Sequence, residues 1–446
     1  MSARRLDLSP PQLIALSFGG VILLGALLLM LPIMHAPGER LGFLDALFTA
    51  TSAVCVTGLI VVDTGSHFSR LGQSLIMLLF QLGGLGILTV GVFLALATGR
   101  RVGFSERLRL QAQINALETG GVVRLGRFLL LTVFITEILG ALLLYLRFYE
   151  VEGLGTGAFY ALFHSVSAFN NAGFALYSDS LMGYVTDPLV SLTICGLILI
   201  GSLGFFVIAD LAGRVGKRER VQLSLHTKLV LVSTAALLSV GFVGMLVLEW
   251  TNPETLEPLS LGSKLLASLF QTVTPRTAGF NTLDYAAFTM PTVLMTVFLM
   301  FIGANPGSTG GGIKTVTAFV LLGSAWSIIR GEGELHLFGR RIAARTVSRA
   351  FVLALGAGLT VFTALFLLTI SEPDLPLRDL LFEAVSAFAT VGLSLGITAE
   401  LSSVGKSIII TLMFLGRVGL LTAALALVSE NDARALKYPA EDVIVG

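Results

Sequence analysis

The chain has 446 residues, 54% of them hydrophobic and only 13% charged, roughly half the charged share of an ordinary soluble protein, which excludes a water-soluble globular fold. The net charge of +1 comes without a basic stripe, which excludes nucleic acid as a partner, and Cys55, Cys195 and five scattered histidines form no disulfide, zinc or redox pattern. The 49 glycines lie inside apolar segments, where they mean either close helix packing or unwound backbone lining a polar cavity.

The first apolar run, Leu13 to Leu31, is too long for a signal-peptide core and is followed by Pro32-Ile33-Met34-His35 instead of a small-residue cleavage site, so it is read as a retained span. Runs long enough to cross about 30 Å of hydrocarbon lie near 12–33, 71–97, 127–147, 187–210, 228–249, 289–324, 350–370 and 405–428, predicting eight spans. Between the members of each successive pair sits a segment too short to span: 42–54, 157–169, 262–274 and 377–389. Each is read as a re-entrant helix.

These four segments resemble one another. From their phenylalanines, Phe48, Phe163, Phe270 and Phe382, a hydroxyl residue follows four positions on: Ser52, Ser167, Thr274 and Ser386. A glycine follows each hydroxyl by six, six, five and six residues, namely Gly58, Gly173, Gly279 and Gly392. A second glycine landmark, Gly83, Gly201, Gly303 or Gly416, comes 24 to 28 residues later. The period is 107 to 115 residues, and the unit reads span, short helix, glycine turn, span. The expected fold is an all-α integral membrane protein of four such units around one pore, divided at 1–98, 99–210, 211–325 and 326–446.

Loop charges orient the chain. The N-terminus, the connectors around 98–127, 210–228 and 325–349, and the C-terminus hold 20 basic and 11 acidic residues, against 7 and 16 on the other side. The positive-inside rule places both termini in the cytoplasm and brings the short helices in from outside. Each short helix then points the negative end of its dipole at the membrane middle. The stretches just after them, Val56-Thr57-Gly58, Asn171-Ala172-Gly173, Thr277-Ala278-Gly279 and Thr390-Val391-Gly392, are expected to be extended, with carbonyls free to replace an ion's hydration shell. One such glycine could equally be a helix cap; four at matched positions point to a selectivity filter. With no buried acidic ring, neutral carbonyls suit a large monovalent cation, K⁺ first, while spacing alone leaves Na⁺ open.

In the third unit the second span carries Gly303-Ala304-Asn305-Pro306-Gly307-Ser308-Thr309-Gly310-Gly311-Gly312, followed by Ile313 and Lys314. No regular helix survives that run. Ile313 before Lys314 breaks the phosphate-loop spacing, and no βα unit surrounds it. Residues 303–315 are read as a gate loop in the ion path, the alternative being a kinked, packed helix. Lys314 and Arg417 are costly at membrane depth unless partnered. Arg417 is expected to constrict the pore and donate to loop carbonyls near Asn305, the alternatives being snorkelling or an inter-helix hydrogen bond. Glu137 reads as an inter-helix contact and His164 as a packing or surface residue. The remaining glycines, including Gly83, Gly84 and Gly86, read as packing positions. A coupled secondary transporter is the alternative within transport, although such folds mostly show inverted repeats and these units all run one way. A membrane enzyme would need a convergent nucleophile, base or metal cluster, and none is visible.

On FQTVTPRTAGFNT (270–282), SAFNNAGF (167–174), GANPGSTGGGIKT (303–315) and GRVGLLT (416–422), the chain resembles the Trk, Ktr and HKT potassium transporter superfamily over nearly its whole length, and within it the KtrB type. The resemblance implies four M1-P-M2 units with eight transmembrane helices, and filter glycines at Gly58, Gly173, Gly279 and Gly392. It also implies a gate at 303–315 and a pore arginine at Arg417. In plant relatives serine at the first filter glycine goes with Na⁺ selectivity, so four glycines imply the K⁺-selective type. A start directly at the first unit, without an extra N-terminal helix pair, favours the KtrB branch. That branch implies K⁺ uptake at the cytoplasmic membrane without a covalent cofactor, Na⁺ as an activator, a homodimer, and a cytosolic RCK-type ring binding ATP, ADP or another nucleotide. The basic connector 213–224 is the expected docking surface, lipid headgroups being the alternative. An ion-coupled K⁺/Na⁺ or K⁺/H⁺ symporter on the same scaffold is the alternative reading.

Overall fold

The computed structural model describes residues 9–86, 122–213, 222–420 and 422–423. Most of the connectors used to orient the chain, including most of 213–224, and the C-terminal parts of the spans expected at 71–97 and 405–428 lie outside the described residues. In chain order the helices are α1 (Pro10–Leu29), α2 (Phe43–Cys55), α3 (Thr64–His67), α4 (Arg70–Leu85), α5 (Val122–Glu152), α6 (Leu154–Asn170), α7 (Pro188–Leu203) and α8 (Phe205–Ala212). There follow α9 (Leu225–Glu249), α10 (Leu261–Val273), α11 (Met290–Phe301), α12 (Thr315–Ile329), α13 (Ala344–Ser371), α14 (Leu377–Ala389) and α15 (Ser403–Val418).

Among the described residues, four helices are long and apolar enough to cross a membrane: 19 residues of α1, 25 of α5, 25 of α9 and 28 of α13. Their large apolar side chains point outward; Leu146, Val247 and Phe362 are 60%, 72% and 68% exposed. Water would not tolerate such a girdle, and lipid tails do. The molecule is a multi-pass membrane protein. The short helices α2, α6, α10 and α14 are packed at its centre, and from Asp379 to Ala389 all but one residue of α14 is buried. They fall within three residues of the segments anticipated from the repeat.

The second member of each pair departs from expectation. The sequence suggests continuous spans with a break only in the third unit, yet α4, α7 and α15 all stop after 16 residues. Each stops at a glycine with positive φ: Gly86 at 81°, Gly204 at 92° and Gly419 at 88°. Such a residue cannot continue a right-handed helix. At Gly204 the chain resumes as α8, bent 95° from α7. Gly86, expected to serve packing, is therefore a helix stop. In the third unit α11 ends at Phe301 and the chain stays irregular to Thr315.

Paired helices are tied at one end by polar staples. Glu249, fully buried at the end of α9, accepts from Asn252 Nδ2 (2.6 Å), Thr255 Oγ1 (2.7 Å), and the backbone N (3.0 Å) and Oγ1 (2.7 Å) of Thr289, which caps α11. Glu372 at the end of α13 does the same for Ser402, the cap of α15. Arg147 of α5 pairs with Asp187, the cap of α7, at 2.5 Å. Between α12 and α13, His336–Leu337 and Arg340–Arg341 form a small antiparallel hairpin. Glu249→Gln puts an amide donor against these donors, and a loss of about 2 kcal/mol is expected. It should appear as a lower thermal midpoint of the protein in detergent micelles; an unchanged midpoint would contradict the staple.

Candidate functional site

The short helices end in a shared way. After α2, α6 and α14 come Val56 (φ 59°), Asn171 (φ 59°) and Thr390 (φ 51°), all left-handed. Each donates to the carbonyl three residues back, and the next residue donates to the carbonyl five back, as in Thr57 N to Ser52 O at 2.8 Å. This is a Schellman closure, normally made with glycine. In α10 Pro275 lacks the N–H for it, and the left-handed residue is Thr277 (φ 69°). Two residues beyond each lies a ring glycine with positive φ: Gly58 at 95°, Gly173 at 73°, Gly279 at 79° and Gly392 at 89°. The residue between has negative φ. Handedness thus alternates, and the anticipated plain extended strand is corrected. Holding β-branched Val56, Thr277 and Thr390 left-handed stores strain at this place.

The four turns close into a ring. A β-carbon on Gly58 would lie 2.6 Å from Ala172 O and 2.9 Å from Gly173 Cα, and one on Gly173 would lie 2.9 Å from Gly279 Cα and 3.0 Å from Ala278 O. On Gly279 it would lie 2.6 Å from Val391 O, and on Gly392 it would strike Thr57 O and lie 2.9 Å from Gly58 Cα. The carbonyls of Thr57, Ala172, Ala278 and Val391 therefore circle one axis, each beside the glycine of a neighbouring unit. The matched hydroxyls lock the turns to their helices. Ser52 Oγ accepts from Gly58 N and Ser386 Oγ from Gly392 N, both at 3.1 Å, whereas Ser167 and Thr274 donate to Phe174 O (2.8 Å) and Phe280 O (2.5 Å).

Residues 303–314 pack directly against two of these turns. A β-carbon on Gly310 would strike Thr277 Oγ1, one on Gly311 would strike Thr390 Oγ1, and one on Gly312 would lie 3.1 Å from Ala389 Cα. The loop is fastened to several helices. Asn305 Nδ2 donates to Ser202 O (2.9 Å) and Thr234 Oγ1 (3.2 Å), its Oδ1 accepts from Thr315 Oγ1, and Phe205 N donates to Gly307 O (2.8 Å). Lys314 Nζ donates to Gly310 O at 2.5 Å. Arg417 donates to Thr309 O and Gly83 O, so it meets the loop four residues beyond Asn305 and also ties it to α4. Both cations are thereby partnered by carbonyls. Arg417 and Lys314 line a cavity of about 300 Å³ with Gly83, Gly307 and Gly419.

Glu137 bridges Gln81 Nε2 (3.3 Å) and Asn170 Nδ2 (3.1 Å), an inter-helix contact as expected. His164 is fully buried, which settles its two readings in favour of packing. Its Nδ1 donates to Tyr160 O at 2.8 Å. Sequence reasoning passed over Arg276, which is 1% exposed and donates from Nη2 to Thr234 Oγ1 at 3.4 Å. Its charge immediately before the third glycine turn, between Pro275 and Thr277, was the available signal. The glycine landmarks are close-packing points: a β-carbon on Gly83, Gly201 or Gly416 would strike Val54 O, Phe169 O or Phe388 O at the tip of a short helix.

Helical fold and apolar girdle define the class: a helical multi-pass membrane protein, here with a central ring of backbone carbonyls. The family model described as TrkH, cation transport protein, matches residues 14–436, and the chain belongs to that family. It is a membrane cation transporter and not an enzyme. It is 43% identical to the Ktr system potassium uptake protein B of Bacillus subtilis, covering 98% of this chain and 97% of that one. With the protein of the same name from Vibrio alginolyticus it shares 43% identity over 98% and 95% of the two chains. The potassium/sodium uptake protein NtpJ of Enterococcus hirae is 39% identical over 99% and 98%. The fold is similar to that of the potassium transporter TrkH from Vibrio parahaemolyticus, with a TM-score of 0.74 at 19% identity over 95% of this chain and 86% of that chain.

Gly416→Ala should force α15 away from Phe388 O and destabilise the protein by about 1–3 kcal/mol. Gly358→Ala, on α13 with open space around it, should leave the thermal midpoint level or slightly raised. Equal midpoints for the two variants would refute the packing role.

Proposed function

We propose that this chain takes up K⁺ across the cytoplasmic membrane through a four-unit selectivity filter formed by residues 56–58, 171–173, 277–279 and 390–392. The closed ring of four left-handed glycine turns carries the reading. It sets neutral carbonyl oxygens around one axis without any side chain between them, an arrangement suited to a weakly hydrated monovalent cation. The potassium-uptake names of the relatives support the choice of K⁺. On this reading the chain has eight spans in four M1-P-M2 units, with α4, α7, α11 and α15 as the outer parts of the second spans. Both termini are cytoplasmic, and the unit boundaries fall near 98, 210 and 325.

Residues 303–315 act as the gate. Their contacts with Thr277 and Thr390 support a loop closing the inner side of the ring, and the Arg417 bridge from Thr309 O to Gly83 O supports a latch holding it there. The chain works as a homodimer with a cytosolic nucleotide-binding ring. The word "system" in the relatives' names supports a partner subunit, and the potassium/sodium name of the Enterococcus hirae relative supports a part for Na⁺ as activator.

Purified protein in liposomes with K⁺ and Na⁺ gradients imposed separately tests this. Conduction of K⁺ down its own gradient is expected; strict dependence on a Na⁺ or H⁺ gradient would instead establish a coupled symporter. Gly58→Ser should raise the Na⁺/K⁺ permeability ratio by about tenfold, equivalent to about 1.4 kcal/mol, and an unchanged ratio counts against the filter assignment. Deleting 305–312 should raise K⁺ flux. Loss of flux with an intact size-exclusion profile would make the loop structural.

A further inference from the structure

The hydroxyl that locks each glycine turn lies four residues after the anchoring phenylalanine. The residue one position after that phenylalanine, Thr49, His164, Gln271 or Glu383, stands three residues before the hydroxyl and so on the same helix face. All four are polar and buried, at 2%, 0%, 0% and 0% exposure. A buried polar side chain is costly unless it is paired, and three of the four pair with the chain that leaves the turn. His164, whose Nδ1 is engaged by Tyr160 O, accepts at Nε2 from Leu176 N at 3.3 Å. Gln271, with its amide oriented to satisfy its neighbours, accepts from Leu283 N (2.8 Å) and Thr282 N (3.0 Å) and donates to the Tyr285 hydroxyl (2.8 Å). Glu383 Oε1 accepts from Thr398 Oγ1 at 2.6 Å. Thr49 instead returns its hydroxyl to Asp45 O in its own helix.

We propose that His164, Gln271 and Glu383 are positioning residues that set the selectivity of the ion path by holding the outgoing segments of the second, third and fourth glycine turns, and that the first unit lacks this tie. The inference rests on the filter reading above and deepens it. Each of α6, α10 and α14 grips its turn at two heights: the hydroxyl holds the glycine or the residue after it, and the earlier polar residue holds the chain three to six residues beyond the glycine. A carbonyl ring discriminates between ions only while its radius and flexibility are controlled. With the outer grip gone, the turn keeps its inner bond and relaxes.

Permeability ratios of the full chain in liposomes test this. Glu383→Leu, Gln271→Leu and His164→Phe should each raise the Na⁺/K⁺ ratio by about fivefold, the effect of losing one hydrogen bond. Glu383→Gln, which keeps an acceptor for Thr398, should hold the wild-type ratio, and so should Thr49→Val. If a leucine variant does not fold, Thr398→Val and Tyr285→Phe remove a side-chain partner from the other side. The proposal falls if the ratios stay at the wild-type value while thermal midpoints drop, or if Thr49→Val moves the ratio as far as Glu383→Leu. Gly58→Ser separates the two levels. A shifted ratio there with none at Glu383 or Gln271 overturns only the positioning role, while no shift in any variant overturns the filter reading itself.

Discussion

Everything in this protein is arranged around the approach of four backbones to within van der Waals contact on one axis. At Gly58, Gly173, Gly279 and Gly392 a single added carbon would run into a neighbouring unit's main chain. That proximity can exist only where no side chain intervenes and φ is positive, a demand glycine alone meets without penalty. On the proposed reading, carbonyls brought together in this way repel one another and a cation between them relieves the repulsion. The surrounding helices hold this close approach in place. The short helices deliver the turns, the hydroxyls and polar residues on one face fasten them, and the glycine landmarks let the second helices close in from behind.

The loop at 303–315 solves the complementary problem. Unwound backbone inside a bilayer must find partners, and this loop draws them from α7, α9, α12 and α15, with Lys314 and Arg417 supplying donors to its carbonyls. Asn305 and Arg276 share Thr234, so the loop and the third turn answer to a common hydroxyl. On the proposed reading, gate and filter are thus joined on the side of the third unit.

Much of this was legible in the sequence because the constraint repeats. A glycine after one short amphiphilic segment says little; the same phenylalanine, hydroxyl and glycine spacing four times located α2, α6, α10 and α14 within three residues. What escaped was local geometry decided by neighbours. Val56, Thr277 and Thr390 are poor candidates for a left-handed conformation, and only the surrounding packing holds them there. Arg417 meets a loop carbonyl as expected, at Thr309, and its second partner, Gly83 O on α4, could not be read from the sequence because only the packing of separate units brings it there. Gly86, Gly204 and Gly419 each follow a landmark glycine by three, yet a glycine in an apolar run does not declare whether it packs or turns.

Those three glycines give the molecule a mechanical character. Because α4, α7 and α15 each end in a glycine with positive φ, the helices packed behind the ring stop there, and at Gly204 the next helix leaves at 95°. On the proposed reading, such breaks set the ring apart from the chain beyond them, which suits a device that opens and closes while keeping its preference for one ion.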